Sequence, residues 1–201
     1  ITFKNEAELE EGFTRDVEDI YDGLDNIIIS GGTALYDAIF LAVDMSQEGN
    51  EAKKIIVVFT DGEDRDSYYA HEELLDKIRE SDVQIYIVAF LDIGLSRSGG
   101  IFGIFKSQRE KVQATIQSIT DYTGGISFFP KKITELNDVF QSIARELQKQ
   151  YRLAYTSNNS VLDGQWRDID VKIQDQKARG LKIRAKRGYF TRKTVRQPSP
   201  D

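Results

Sequence analysis

Apolar residues along this chain follow two textures. Up to about residue 150, helical stripes alternate with short continuous runs; beyond it only short alternating or mixed runs occur. Ile1-Thr2-Phe3 reads as the end of a strand. Residues 7–14 read as a second, with Leu9 and Phe13 as apolar markers among acidic neighbours. Asp16 is placed to cap a helix to about Leu24, in which Val17, Ile20, Tyr21 and Leu24 recur at helical spacing. After the loop Ser30-Gly31-Gly32, Thr33 is expected to open a helix to about Ser46. Leu35, Ala38, Ile39, Ala42 and Met45 form one stripe, and Phe40, Leu41 and Val43 lie off it, so burial is expected on more than one side.

Residues 55–59 and 83–91 are continuous β-branched and apolar runs, the mark of strands covered on both faces, as in a parallel sheet. Helices are expected over 68–80, with Leu74, Leu75 and Ile78 inward, and over 110–122, stopped by Gly124-Gly125. A short strand at 126–129 leads to a helix over 134–150, with Thr134 as cap and Leu136, Val139, Phe140, Ile143, Ala144 and Leu147 inside. The remainder reads differently. Runs at 151–156, 167–173 and 181–190, with turns at Asn158-Asn159 and Asp163-Gly164, predict a small antiparallel unit. The expected organisation is an α/β body over 1–150, a β extension over 151–192 and a tail over 193–201. Strands alternating with helices imply right-handed crossovers and a mostly parallel sheet covered by helices. Ligands collect at the carboxyl ends of such strands, where Asp61 and Asp92 would share one edge.

Composition narrows the function classes. With 40% hydrophobic and 30% charged residues among 201, the chain suits a globular protein. A net charge of −6 argues against nucleic acid as the main partner. The charge is uneven, acidic over the first eighty residues and basic over the last fifty or so. No apolar run approaches the roughly 18 residues needed to span a bilayer, so no membrane insertion is expected of this chain. No cysteine is present, which excludes disulfides, thiolate metal sites and cysteine nucleophiles. The one histidine, His71, sits beside Glu72 and Glu73 and reads as a solvated surface residue.

Two segments carry the chemistry. Gly31-Gly32-Thr33-Ala34-Leu35 offers a hydroxyl at a helix start, and Val57-Val58-Phe59-Thr60-Asp61-Gly62 offers a carboxylate at a strand end. Hard divalent cations take such oxygens. Read singly, Thr33 is a helix cap and Asp61 a turn residue. Read together, on one predicted edge, they point to a metal. Asp64, Asp66 and Ser67 in the adjoining loop are expected to shape the surface without ligating. Asp92 is a candidate for an outer contact. Residues 94–105 mix Gly94, Gly99, Gly100 and Gly103 with Ile101, Phe102, Ile104 and Phe105, and are expected either to tuck onto the body or to form a partner-contacting loop near the metal edge.

The order strand, helix, Gly-Gly-Thr-helix, strand, Thr-Asp-Gly-Glu-Asp resembles a von Willebrand factor A-type domain. That resemblance implies a Rossmann-like doubly wound sheet and a metal-ion-dependent adhesion site built from three loops. Thr33 matches the second loop, and Asp61 with Gly62 the third. The first loop, Asp-x-Ser-x-Ser, is absent. Ile1-Thr2-Phe3 resembles the family's second strand, so the first strand and helix would lie upstream of Ile1. The tail, with Asp163-Gly164-Gln165-Trp166-Arg167 and Ala185-Lys186-Arg187-Gly188-Tyr189-Phe190, resembles the β extension of a bacterial subgroup whose members are generally exported. A secreted, periplasmic or cell-surface location is implied.

The expectation is therefore a non-enzymatic, adhesion-type module. It would use Mg²⁺ (or Mn²⁺ or Ca²⁺) at Thr33 and Asp61 to capture an acidic group of a partner protein, with Gly32, Gly62, Glu63, Asp64 and Phe102 around it. Metal binding would be weak in this chain. Two alternatives remain at this point. One is a Mg²⁺-dependent phosphohydrolase with Asp61 as nucleophile, though Glu63 after Gly62 makes an unfamiliar pattern for it. The other is a scaffold with a vestigial metal site.

Overall fold

The computed structural model describes residues 1–25, 27, 31–91, 102–174 and 180–192, with 102–107 as backbone only. β1 (Thr2–Phe3) and β2 (Ala7–Glu8) form a short antiparallel hairpin. The strand expected over 7–14 is thus two residues long. Its remaining positions are mostly acidic or exposed and offer no apolar face for a ladder. α1 (Val17–Asp25) starts where expected, because the Asp16 carboxylate accepts from the Glu18 N–H at 3.0 Å. Its stripe of Val17, Ile20, Tyr21 and Leu24 is exposed.

α2 (Leu35–Glu48) leads to β3 (Lys54–Thr60), α3 (His71–Glu80), β4 (Val83–Ala89), α4 (Phe102–Thr123) and β5 (Ser127–Phe128). β3, β4 and β5 make a parallel sheet in that order, with β3 and β4 in register from Lys54↔Val83 to Thr60↔Ala89. β4 is central and accordingly apolar throughout apart from Gln84, with Ile85, Ile87, Val88 and Ala89 fully buried. One sheet face packs Leu35, Ile39 and Val43 of α2, Leu74 and Ile78 of α3, and Ile116 and Ile119 of α4. Tyr86, Val88 and Ile143 anchor the other face, beneath α5 (Leu136–Gln148). β3 pairs with no described strand on its outer side, and Val57 and Phe59 are 39% and 45% exposed there.

Four helix starts differ from expectation. α2 begins at Leu35, two residues after Thr33, and no side chain of its own segment caps it. α3 begins at His71 rather than near Tyr68, with Glu73 accepting from the Ala70 N–H at 2.8 Å. Thr134 caps nothing. It lies in a single 3₁₀ turn (Ile133–Glu135), and the Glu135 carboxylate accepts from the Lys131 N–H at 2.9 Å. α4 begins eight residues earlier than its apolar stripe suggested, so residues 102–105 are helical rather than loop. Its end is as expected, since Gly124 takes φ +73°, which non-glycine residues rarely adopt.

The extension is antiparallel, but its strands are three residues long: β6 (Trp166–Asp168) and β7 (Gly188–Phe190). Residues 151–156 form no strand. Trp166 and Tyr189 are half-buried, and the Trp166 and Phe190 rings meet edge-on at 5.1 Å. The unit meets the body through the Arg187 N–H, which donates to the Tyr122 carbonyl, and through charge. Lys186 donates to the Ser81 carbonyl and to Asp82, Arg187 to Asp121, and Arg184 to Glu146. The basic end of the chain thus meets acidic groups next to the ends of α3, α4 and α5.

Candidate functional site

The site is the junction between the start of α2 and the loop following β3. An α-helix leaves its first N–H groups without intrahelical partners. α2 has no cap of its own, and the β3 loop supplies the acceptors. The Asp66 carboxylate accepts from the Thr33 N–H at 2.8 Å. Asp64 and the Ser67 hydroxyl accept from the Tyr36 N–H at 3.1 and 3.0 Å, and Ser67 also from Asp37 at 3.2 Å. Ser67 in turn donates to Asp64 at 2.6 Å. The connection runs both ways. The Thr33 carbonyl accepts from the Arg65 N–H at 2.9 Å, and Asp37 accepts from the Tyr68 and Tyr69 N–H groups at 2.9 and 3.0 Å. Carboxylates at a helix N-terminus are also favoured by its dipole.

This truss fixes where the two candidate ligands stand. Thr33 is tied by its own peptide groups to residues 65 and 66, and Asp61 lies four residues before that contact. Neither the Thr33 hydroxyl nor the Asp61 carboxylate bonds to any described residue. Thr33 is half-buried and Asp61 exposed. Gly62 makes the turn between β3 and the loop at φ +93°, and a Cβ there would run into Leu91. Its N–H donates to the Thr60 hydroxyl at 3.0 Å. Gly32 donates its N–H to Asn5 Oδ1 at 2.6 Å, which ties the β1–β2 hairpin to the same junction.

Of the residues expected around the metal, Gly32, Thr33, Asp61, Gly62, Glu63 and Asp64 therefore belong to one pair of adjoining loops. Asp64 and Asp66 are bonded to backbone N–H groups. Glu63 holds Arg65, whose Nε lies 2.7 Å from Oε2, and Gln108 reaches its other oxygen at 3.4 Å. Glu63 first, then Asp61 and Asp66, hold the Arg65 guanidinium above its ordinary pKa. Burial, then Asp64, pushes the Tyr36 phenol up. Phe102 is in the first turn of α4, and its side chain lies outside the described residues, as do Asp92 and residues 94–101.

Sequence reasoning missed three participants. Asn5 and Arg65 carried no periodic or motif signal. His71 is not a solvated surface group. Its Nε2 is 3.1 Å from the Ser118 hydroxyl, and its ring is 5.7 Å from that of Tyr36. With Glu72 3.9 Å from Nδ1 the three resemble a catalytic triad on paper. Ser118, however, lies within α4 and donates its proton to the Thr115 carbonyl at 2.6 Å. That hydroxyl is a helix side chain bonded to its own turn, not an activated nucleophile.

Donor chemistry decides which group the junction suits. It offers a neutral hydroxyl and one carboxylate, and among the described residues no three acidic, His or Cys side chains converge as a metal set. Two such oxygens suit a hard cation but fill only part of an octahedron.

The profile of the von Willebrand factor type A domain matches residues 1–142. The chain belongs to that family. Its fold is Rossmann-like α/β, consistent with the parallel three-stranded sheet and its helices. The chain is also similar to two solved structures. One is an aerotolerance-related membrane protein from Bacteroides fragilis carrying multiple mutations to serines, at 22% identity, covering 67% of this chain and 71% of that one, with a TM-score of 0.43. The other is an uncharacterized membrane spanning protein from Vibrio fischeri, at 19% identity, covering 72% of each chain, with a TM-score of 0.35. No curated protein matches. Among the described residues, no helix is long and apolar enough to cross a membrane.

Proposed function

We propose that this domain is an adhesion-type protein-binding module in which a divalent cation, Mg²⁺ or a similar hard ion, is held between Thr33 and Asp61 and takes an acidic side chain of a partner protein. The single observation that carries the reading is the truss. It holds the Thr33 and Asp61 loops together while binding Asp64 and Asp66 to backbone N–H groups, so these two carboxylates do not saturate the ion. The Thr33 hydroxyl and the Asp61 carboxylate would hold the cation, and the cation when bound would supply Lewis acidity toward a carboxylate. Gly32, where a Cβ would overlap the Asp66 carboxylate, and Gly62, where it would meet Leu91, let the two loops pack closely, and Glu63 holds Arg65 beside them.

Two oxygens leave the coordination incomplete. We read the missing donors as belonging to a further loop, and the unpaired outer edge of β3 supports a further strand beside it. Val57 and Phe59, on the face of β3 toward α5, are apolar residues that a two-sided sheet normally buries, and a helix following such a strand would cover them. An extracytoplasmic location fits this role. Family membership favours an interaction module over a phosphohydrolase.

Binding to immobilised Asp- or Glu-containing peptides, measured with Mg²⁺ and with chelator, tests the proposal. Retention that needs the metal and is lost in Asp61→Ala is expected. Retention indifferent to both would overturn it, and Mg²⁺-dependent hydrolysis of p-nitrophenyl phosphate would reinstate Asp61 as a nucleophile.

A further inference from the structure

On the flank of α2, between that helix and the β1–β2 hairpin, lies an open cleft of about 310 Å³. Its walls are apolar: Phe40, Leu41 and Tyr69. Its polar groups are all carboxylates: Glu6, Asp37 and Asp44. Phe40 and Tyr69 stack face to face, 3.9 Å between centroids and 4° from parallel, so the wall is rigid. The chain's own Lys77 covers the face of the Phe40 ring opposite Tyr69. Its ammonium lies 4.6 Å from the Phe40 centroid and pairs with Asp44, while three-quarters of its side chain is buried. Of the three carboxylates, Lys77 pairs with Asp44 alone. Asp37 is bonded to two backbone N–H groups, but the Glu6 carboxylate bonds to nothing among the described residues.

An apolar wall with a carboxylate rim is complementary to one kind of side chain, an alkyl stem ending in a cation. We propose that this cleft receives an arginine or lysine side chain of a partner protein. The stem would lie along Leu41 and the edge of the Phe40–Tyr69 stack, and the head would meet Glu6 and the free side of Asp44. Burial of the stem and pairing of the head with carboxylates act together in such a site. The cleft adjoins the metal-site loop, because the Asp37 carboxylate that borders it holds the N–H groups of Tyr68 and Tyr69. The proposal does not require a metal.

The test is an NMR titration of the whole chain, in low salt and with chelator present, using the peptide acetyl-Gly-Arg-Gly-amide. The citrulline peptide serves as the uncharged isostere. Saturable shifts at Ala7, Leu41 and Tyr69 are expected with arginine only. Glu6→Gln should weaken binding at least threefold, and Asp44→Asn should also weaken it. The Glu6 side chain is exposed and bonds to no described residue, so Glu6→Gln is expected to keep the fold, which its unchanged amide spectrum away from the cleft would show. Equal shifts with citrulline, shifts centred elsewhere, or binding unchanged in both variants would overturn the proposal. So would saturable binding of spermidine with none of the arginine peptide, since a free polyamine would then be the ligand. Chelator separates this outcome from failure of the metal reading, which would leave arginine binding in place.

Discussion

The α/β body and the β extension use opposite means to hold themselves together. In the body, a central strand is buried on both faces, and the hydrogen bonds at its site end run from backbone N–H groups to carboxylates. In the extension, Tyr151 and Leu153 are 92% and 74% exposed, strands are three residues long, and one carboxylate gathers bonds from both sides of the short ladder. Asp163 accepts from the Gln165 N–H at 3.0 Å, the Thr191 hydroxyl at 2.8 Å and Arg167 at 3.0 Å. Burial is indifferent to salt and to mild acid. Surface charge is not. The body should therefore set the overall stability, and the extension should respond first to pH and ionic strength.

The largest effect should come from the body's core. Ile87, fully buried in β4, truncated to Ala should cost about 2–5 kcal/mol by removing packed methyl groups and leaving a cavity. Denaturant unfolding followed at 222 nm checks this, and a loss under about 1 kcal/mol would mean β4 is not the centre of the core. Next is Gly62→Ala. The positive φ and the proximity of Leu91 predict a loss of about 1–3 kcal/mol and displacement of the Asp61 loop. Amide shifts confined to residue 62 itself would argue against that displacement.

A smaller effect separates the extension from the body. Hydrogen bonds from Gln165 and Thr191, then the charge of Arg167, hold the Asp163 carboxyl below its usual range. A depressed folded pKa contributes stability that is fully present above the unfolded value, roughly 3.9, and is lost as pH falls through the folded one. Trp166 is the sole tryptophan and lies in β6, so its fluorescence reports on this unit alone. An emission change below about pH 4 that precedes loss of the helical signal is expected. Asp163→Asn should remove that separate step. Coincident transitions would mean that the two regions unfold as one. The smallest effect concerns the pairs Lys186–Asp82, Arg187–Asp121 and Arg184–Glu146. Each is a surface pair worth about 0–1 kcal/mol, so 1 M salt should lower the extension's midpoint slightly and leave the body's unchanged.

The body was readable because period and burial coincide there. The runs at 55–59 and 83–91 became β3 and β4, and the stripes of α2, α3 and α5 face the sheet. Helix starts were less legible, because the caps come from elsewhere. Thr33 has the chemistry of a cap, but Asp66 and Asp64, some thirty residues downstream, supply the acceptors. The extension was over-read as long strands, because alternation at 151–156 signals a half-buried strand only when a partner covers it. At the site, the Thr-to-Asp pairing of loops was legible from order and spacing. Asn5, Arg65 and the His71–Ser118 contact depend on tertiary approach, and no local pattern announces that.

The account turns on Thr33 and Asp61 serving one cation. The most direct measurement is a Mg²⁺ titration of the ¹⁵N-labelled chain. With only two protein donors, weak binding on the order of millimolar is expected. Saturable shifts should be confined to residues 31–36 and 60–67, and both Thr33→Ala and Asp61→Ala should abolish them. Tight binding that survives both substitutions, or shifts centred outside these two loops, would contradict it.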